Sequence, residues 1–192
     1  MGKFLYNAMS NIVLIFRKNQ KKFICFGVVL LCALVFSIVK VFVINSEEDE
    51  YLDMNFIKLL LGEKSVLSFF GSKVIAITIV TVVLILLTYN DTTVRLLIVP
   101  IAIWFIREVT ECLCAIKYYL FLGFIPTIVH FLSILIITTI FILLIIEFEC
   151  SFPRLEYKKI KFNNVSSVVL ITPILLLIVL IAQAILFTVV LM

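Results

Sequence analysis

The stretch RLLIVPIAIWFIREVTECLCAIK, residues 95–117, decides how the chain is read, because it is long and apolar enough to cross a bilayer yet carries Arg107, Glu108 and Glu111 near its middle. At about 1.5 Å per residue it reaches roughly 34 Å, slightly more than a hydrocarbon core. One Arg or Asp at the centre of a span costs roughly 2.5–3.5 kcal/mol on insertion scales, so three charges in lipid would oppose insertion altogether. They must face protein or water. Residues three and four apart share a helix face, so Arg107, Glu108 and Glu111 fall on neighbouring turns. Arg107 neutralises only one carboxylate. The other acid is expected to find a donor on another helix or a partner chain, to meet a water-filled cleft, or to carry a proton. The group therefore reads either as a structural ion pair joining helices or as a functional centre for a proton, a ligand or a partner helix.

Composition sets the class around this stretch. Hydrophobic residues make up 64% of the 192 and charged residues 15%, far outside the globular average, which predicts an all-α integral membrane protein with no separate soluble domain. The net charge of +4 is not read as a nucleic-acid signature, since the basic residues lie beside the spans and encode topology. About five transmembrane helices are expected, near 23–44, 66–89, 95–117, 123–146 and 166–192, in one membrane domain covering 1–192.

Outside the spans, two amphipathic helices are expected. Residues 1–22 hold Lys3, Arg17, Lys18, Lys21 and Lys22 with no acid, and Phe4, Leu5, Ala8, Met9, Ile12, Ile15 and Phe16 recur at helical spacing. This reads as a helix in the cytoplasmic headgroup region. Tyr6 stands where N-myristoylation needs Ser or Thr, and the exit VFVINSEE (41–48) lacks a signal-peptide cleavage pattern, so 23–44 is a retained span. An acidic run follows, with Glu47, Glu48, Asp49, Glu50 and Asp53, and Ser46 with Asp49 resembles a capping box. Leu52, Phe56, Leu59 and Leu60 then predict a second interfacial helix on the opposite face, ended by Gly62. The acids read as a solvated charge run, without the ligand spacing of a calcium loop.

The five basic residues before the first span and the four of the last loop (Arg154, Lys158, Lys159, Lys161) place the N-terminus and that loop in the cytoplasm. Five spans then leave the C-terminus outside. His130, the single histidine, lies in the fourth span, and Gln183 interrupts the last one with Pro173. Each reads as a hydrogen bond to a neighbouring helix or, more sharply, as a ligand contact; for His130 a proton role is the further alternative.

Chemical motifs are scarce. The chain has no nucleophile elbow, HExxH, glycine-rich phosphate loop or CxxC, so neither an enzyme nor a cofactor is expected. Glu108, Glu111 and His130 lack the further ligands that a membrane metalloprotease would need. Cys25, Cys32, Cys112 and Cys114 lie within spans as small apolar fillers, and Cys150 beside the basic loop is a free thiol or an acylation site.

The order of features resembles the stage II sporulation protein M family. The likeness lies in the basic start NIVLIFRKNQKK (11–22), an external helical stretch, the proline-containing LLIVPIAIWFI (96–106), a basic loop, and the closing VVLITPILLLIVLIAQAI (168–185). Pro173 and residues 175–177 fit that closing pattern, whereas Gln183 stands where Glu is expected. The third span departs too, carrying charges where the family has small residues. The resemblance implies a non-enzymatic multi-pass scaffold that positions envelope proteins, typically cell-wall hydrolases, and the altered third span implies a different partner. A second reading is a permease subunit of an ATP-driven transporter with a nucleotide-binding partner, or a peptide-immunity protein. For it, RLEYKKIKF (154–162) would serve as a coupling helix, though a basic surface loop fits equally. A solitary carrier is disfavoured because no inverted repeat is visible. The partners expected are the bilayer, other membrane or envelope proteins, and a second copy of the chain.

Overall fold

In the computed structural model the described residues, 12–44, 54–87, 96–151 and 167–191, are helices joined by turns, with no strand among them. The acidic run 47–53, Arg95, the basic residues 154–161 and the side chain of Cys150 lie outside the described set. Five helices follow in order: α1 (Gln20–Phe42), α2 (Asn55–Leu60), α3 (Val66–Leu87), α4 (Ile98–Ser151) and α5 (Ser167–Leu191). The chain is an all-α membrane protein.

The fold turns on a reversal inside α4, where Tyr119 leaves helical geometry at φ −130°, ψ 31°. A straight helix would hold Glu108 and His130 about 33 Å apart and Trp104 and Phe141 about 55 Å apart. Instead Glu108 Oε2 lies 3.4 Å from His130 Nε2, and the rings of Trp104 and Phe141 sit 5.9 Å apart, edge to face. The arms 98–118 and 120–151 therefore run back along one another. The second arm is the centre of the bundle: over 124–146, 56% of its most apolar window is buried, against 17–22% for the other candidate spans.

Among the described residues four helices, rather than the five expected, are long and apolar enough to span: Gln20–Phe42, Val66–Leu84, Phe124–Ile146 and Thr172–Val190. The expected third span, 95–117, is not among them, and it carries Arg107, Glu108, Glu111 and Lys117. Its arm is shielded by protein instead, with Trp104, Phe105, Glu108, Val109, Thr110, Glu111 and Cys112 all buried.

Helix α1 packs on α4 along its length. Residues 12–18 lead into it as a helix that bends at Asn19, whose side-chain amide donates to the Ile15 carbonyl at 3.0 Å. Ile15 is buried against Ile142 and Ile146, while Leu14 and Phe16 are exposed, an amphipathic arrangement. Further on, Ser37 Oγ donates to the Ala33 carbonyl at 3.0 Å and approaches the Ile106 carbonyl of α4 at 3.4 Å. At the end of α1, Lys117 Nζ donates to the Val41 carbonyl at 2.8 Å. That carbonyl lies in the last turn, where acceptors lack intrahelical partners and a cation complements the helix dipole.

The expected external helix exists as α2, but it does not lie flat on the membrane. Phe56 and Ile57 are fully buried and Leu59 nearly so, within clusters that include residues of α1, α3 and α4. A six-residue helix has only two turns, so these adjacent side chains point to more than one side. It can bury them together only by inserting into the bundle. Its exit is the glycine stop expected at Gly62, at φ +74°, a backbone region where a Cβ is strained. Gly62 N–H donates to the Leu59 carbonyl at 3.1 Å and Glu63 N–H to Lys58 at 2.9 Å, the paired bonds of a Schellman cap. Lys64 Nζ then ties the turn to both helices, donating to Asn55 Oδ1 at 2.6 Å and Ser72 Oγ at 3.3 Å.

Candidate functional site

Beneath α2 the bundle encloses a polar centre built from α3, both arms of α4, and α5. Lys73, about two turns into α3, forms an ion pair with Glu108, both side chains being at least nine-tenths buried. Lys73 Nζ also lies 5.1 Å from the Phe69 ring centroid, a cation–π distance. Glu108 Oε2 meets His130 Nε2 at 3.4 Å, and His130 Nδ1 meets Gln183 Nε2 of α5 at 2.8 Å. With the amide nitrogen of Gln183 in this position, which only donates, Nδ1 is the acceptor. The ring proton of the neutral imidazole then sits on Nε2, facing the Glu108 carboxylate. Buried polar groups are costly unless they are paired, and Lys73, Glu108, His130 and Gln183 meet across three elements, whereas Trp104 Nε1, Thr110 Oγ1 and Thr127 Oγ1 are buried without a hydrogen-bond partner among the described residues.

Glu111, whose charge also acts on Lys73, has a second contact. Its Oε2 accepts the Phe56 backbone N–H at 3.2 Å, so the carboxylate caps the start of α2 from another helix. The N-cap residue, Met54, makes no side-chain capping bond of its own. A carboxylate at a helix N-terminus satisfies an orphan donor and is favoured by the helix dipole. Arg107 lies on the rim. Its side chain is 62% exposed, and its Nε stands 3.7 Å from Glu111 Oε1, an ion pair too long for a hydrogen bond.

Aromatic rings close the site from above. Phe56 lies against His130 with the rings tilted by 37° and their centroids 4.4 Å apart, and Phe69 and Phe187 stand edge-on to His130 at 5.8 and 6.3 Å. These rings remove water from the centre, which strengthens each electrostatic contact within it.

The residues singled out in the sequence thus divide. Glu108, His130 and Gln183 converge in one network, Glu111 supports α2 beside it, and Arg107 points outward. Sequence reading missed Lys73, the cation that neutralises Glu108. The signal was present, since a lone lysine in the apolar run GSKVIAITIV (71–80) is itself an intramembrane charge in need of a partner. It also missed the Phe56 backbone, for which no side-chain pattern exists. Cys112 and Cys114 are buried in the first arm, and Cys25 and Cys32 are exposed on α1. Among the described residues no group of His, Cys, Asp and Glu has the makings of a metal site.

Fold and site together define a multi-pass α-helical membrane protein with an internal, charge-paired polar centre. Comparison of the chain with protein-family models, with curated proteins and with solved structures yields no match.

Proposed function

We propose that this protein is a non-enzymatic membrane scaffold or accessory subunit that binds and positions partner proteins in an envelope complex, as the resemblance to the stage II sporulation protein M family implies. The observation that carries the reading is the use made of the buried charges. Lys73, Glu108, His130 and Gln183 are consumed in joining α3, α4 and α5, and Glu111 in seating α2. Charges committed in this way favour a rigid frame over a site that must exchange a substrate. The surrounding helices supply broad apolar faces, with Leu31, Val35, Ile75, Ile79, Ile178 and Ile185 all exposed, on which lipid or other helices pack.

In the orientation that goes with this proposal, the N-terminus and the loop around Lys158–Lys161 are cytoplasmic, the C-terminus is external, and the protein resides in the cell membrane. The excess of Lys and Arg at the start and in the last loop supports it. This orientation requires the charged first arm of α4 to cross as a fifth segment, shielded by its neighbours and antiparallel to the second arm, a course that the reversal at Tyr119 allows.

The test is purification in mild detergent from native membranes, followed by mass spectrometry of the copurifying proteins. An envelope hydrolase or another membrane protein in stoichiometric amount is the expected result. A nucleotide-binding subunit would select the permease reading instead, and a chain that purifies alone would remove the scaffold.

A further inference from the structure

The charges inside the bundle satisfy one another, but Arg107 does not share in that arrangement. It lies near the middle of the first arm of α4, about 14 Å from its start and about 17 Å from its end, farther than its own side chain reaches. Leu96, Val99 and Ile103 continue its face toward the start of the arm at helical spacing, exposed by 53%, 46% and 63%. The result is a narrow apolar strip with a single guanidinium on it. In the orientation proposed above, where this arm crosses the bilayer, an exposed guanidinium at this height is unfavourable without an anion beside it. Glu111 answers it only partly, because its other oxygen is engaged by Phe56.

We propose that this strip, Leu96–Val99–Ile103–Arg107, is the docking face for a transmembrane helix of a different membrane protein that carries an Asp or Glu at the depth of Arg107. The inference rests on the scaffold reading and locates its partner site. Charge complementarity selects the occupant, because the planar fork of an arginine pairs with a carboxylate through two parallel bonds, and that pairing is strong where water is excluded. A second copy of this chain is a poorer match. Same-face pairing would set two Arg107 side chains against each other, and the acids of this arm, Glu108 and Glu111, are buried and committed. Apolar residues before the arginine supply the packing, and the ion pair sets the register between the helices.

The experiment is site-specific photo-crosslinking from Val99 in the full-length protein, in native membranes, with adducts identified by mass spectrometry. The expected adduct is one membrane protein, joined through a helix that contains an Asp or Glu. Arg107→Leu should lower its yield by at least about tenfold, and Arg107→Lys by less. A charge swap, Arg107→Glu with the partner's acid replaced by Arg, should restore it. Ile103→Trp leaves the Arg107–Glu111 contact in place and should also block the adduct, so the test survives if Arg107→Leu folds poorly. Adducts with lipid alone or with a second copy of the chain, or a yield indifferent to residue 107, would overturn the proposal. A partner that copurifies equally with wild type and Arg107→Leu removes this docking face and leaves the scaffold standing, whereas no partner with either removes both.

Discussion

The backbone N–H of Phe56 donates to Glu111 Oε2 at 3.2 Å, so a carboxylate buried in α4 caps a two-turn helix that lies 55 residues earlier in the chain. Replacing Glu111 by Leu leaves that N–H buried without an acceptor, a loss of roughly 1–3 kcal/mol. Glu111→Gln keeps an acceptor oxygen and should lose less. Hydrogen exchange at the Phe56 amide should accelerate in Glu111→Leu, together with a lower melting temperature in detergent. An unchanged exchange rate would mean that α2 is held by its apolar contacts alone. Those contacts are large as well, and Phe56→Ala should cost roughly 3–5 kcal/mol through the cavity it leaves over His130.

The ion pair Lys73–Glu108 should show the strongest coupling in the protein. Removing one partner from a buried pair typically costs about 3–5 kcal/mol, because the other charge is left buried and uncompensated. Lys73→Met and Glu108→Leu should each destabilise in that range, and the double variant should recover more than half of the loss. The remainder reflects His130, whose Nε2 proton then lacks the carboxylate it faces. Arg107→Leu should cost only about 0–1 kcal/mol in detergent, since that side chain is mostly exposed. If Arg107→Leu proves as damaging as Lys73→Met, the pairing of Glu108 with Lys73 in preference to Arg107 is wrong.

A separate check concerns the tautomer of His130. With Gln183 donating to Nδ1, nitrogen NMR of labelled histidine should show the proton on Nε2. Gln183→Leu removes the donor and leaves Nδ1 buried as an acceptor, so it should destabilise by roughly 1–3 kcal/mol and change the nitrogen shifts. A wild-type spectrum with the proton on Nδ1 would require the Gln183 amide to present its oxygen instead.

The proposed orientation is testable by thiol labelling. Because Cys25 and Cys32 are exposed on α1, both must first be replaced. An impermeant reagent added from outside should then reach a cysteine introduced at Glu48 or at Met192, and not one at Lys159. Labelling at Lys159 from outside inverts or refutes the arrangement.

Much of this fold is legible in the sequence because hydropathy is a local and additive property. Apolar runs of the right length mark α1, α3, the second arm of α4, and α5 within a few residues, whatever the rest of the chain does. Gly62 marks the end of α2 for a similarly local reason, since its left-handed backbone favours a residue without a Cβ. The presence of a polar centre is legible too: acids at 108 and 111 are too costly in lipid to be accidental.

Partner choice and burial belong to the tertiary structure. Consecutive residues on a helix are about 100° apart, so Arg107 and Glu108 diverge, and the rotation of the arm against its neighbours decides which of them is inside. That rotation buries Glu108 against Lys73 and leaves Arg107 on the rim. An amphipathic pattern like that of α2 fits a membrane surface and a protein groove equally well, and only the space between α1, α3 and α4 settles it by accepting Phe56 and Ile57. Composition and spacing alone determined that this is a helical membrane protein with charges it must hide. Which groups hide them depends on contacts between residues far apart in the chain, 55 for Phe56 and Glu111 and 76 for Val41 and Lys117, which no local pattern encodes.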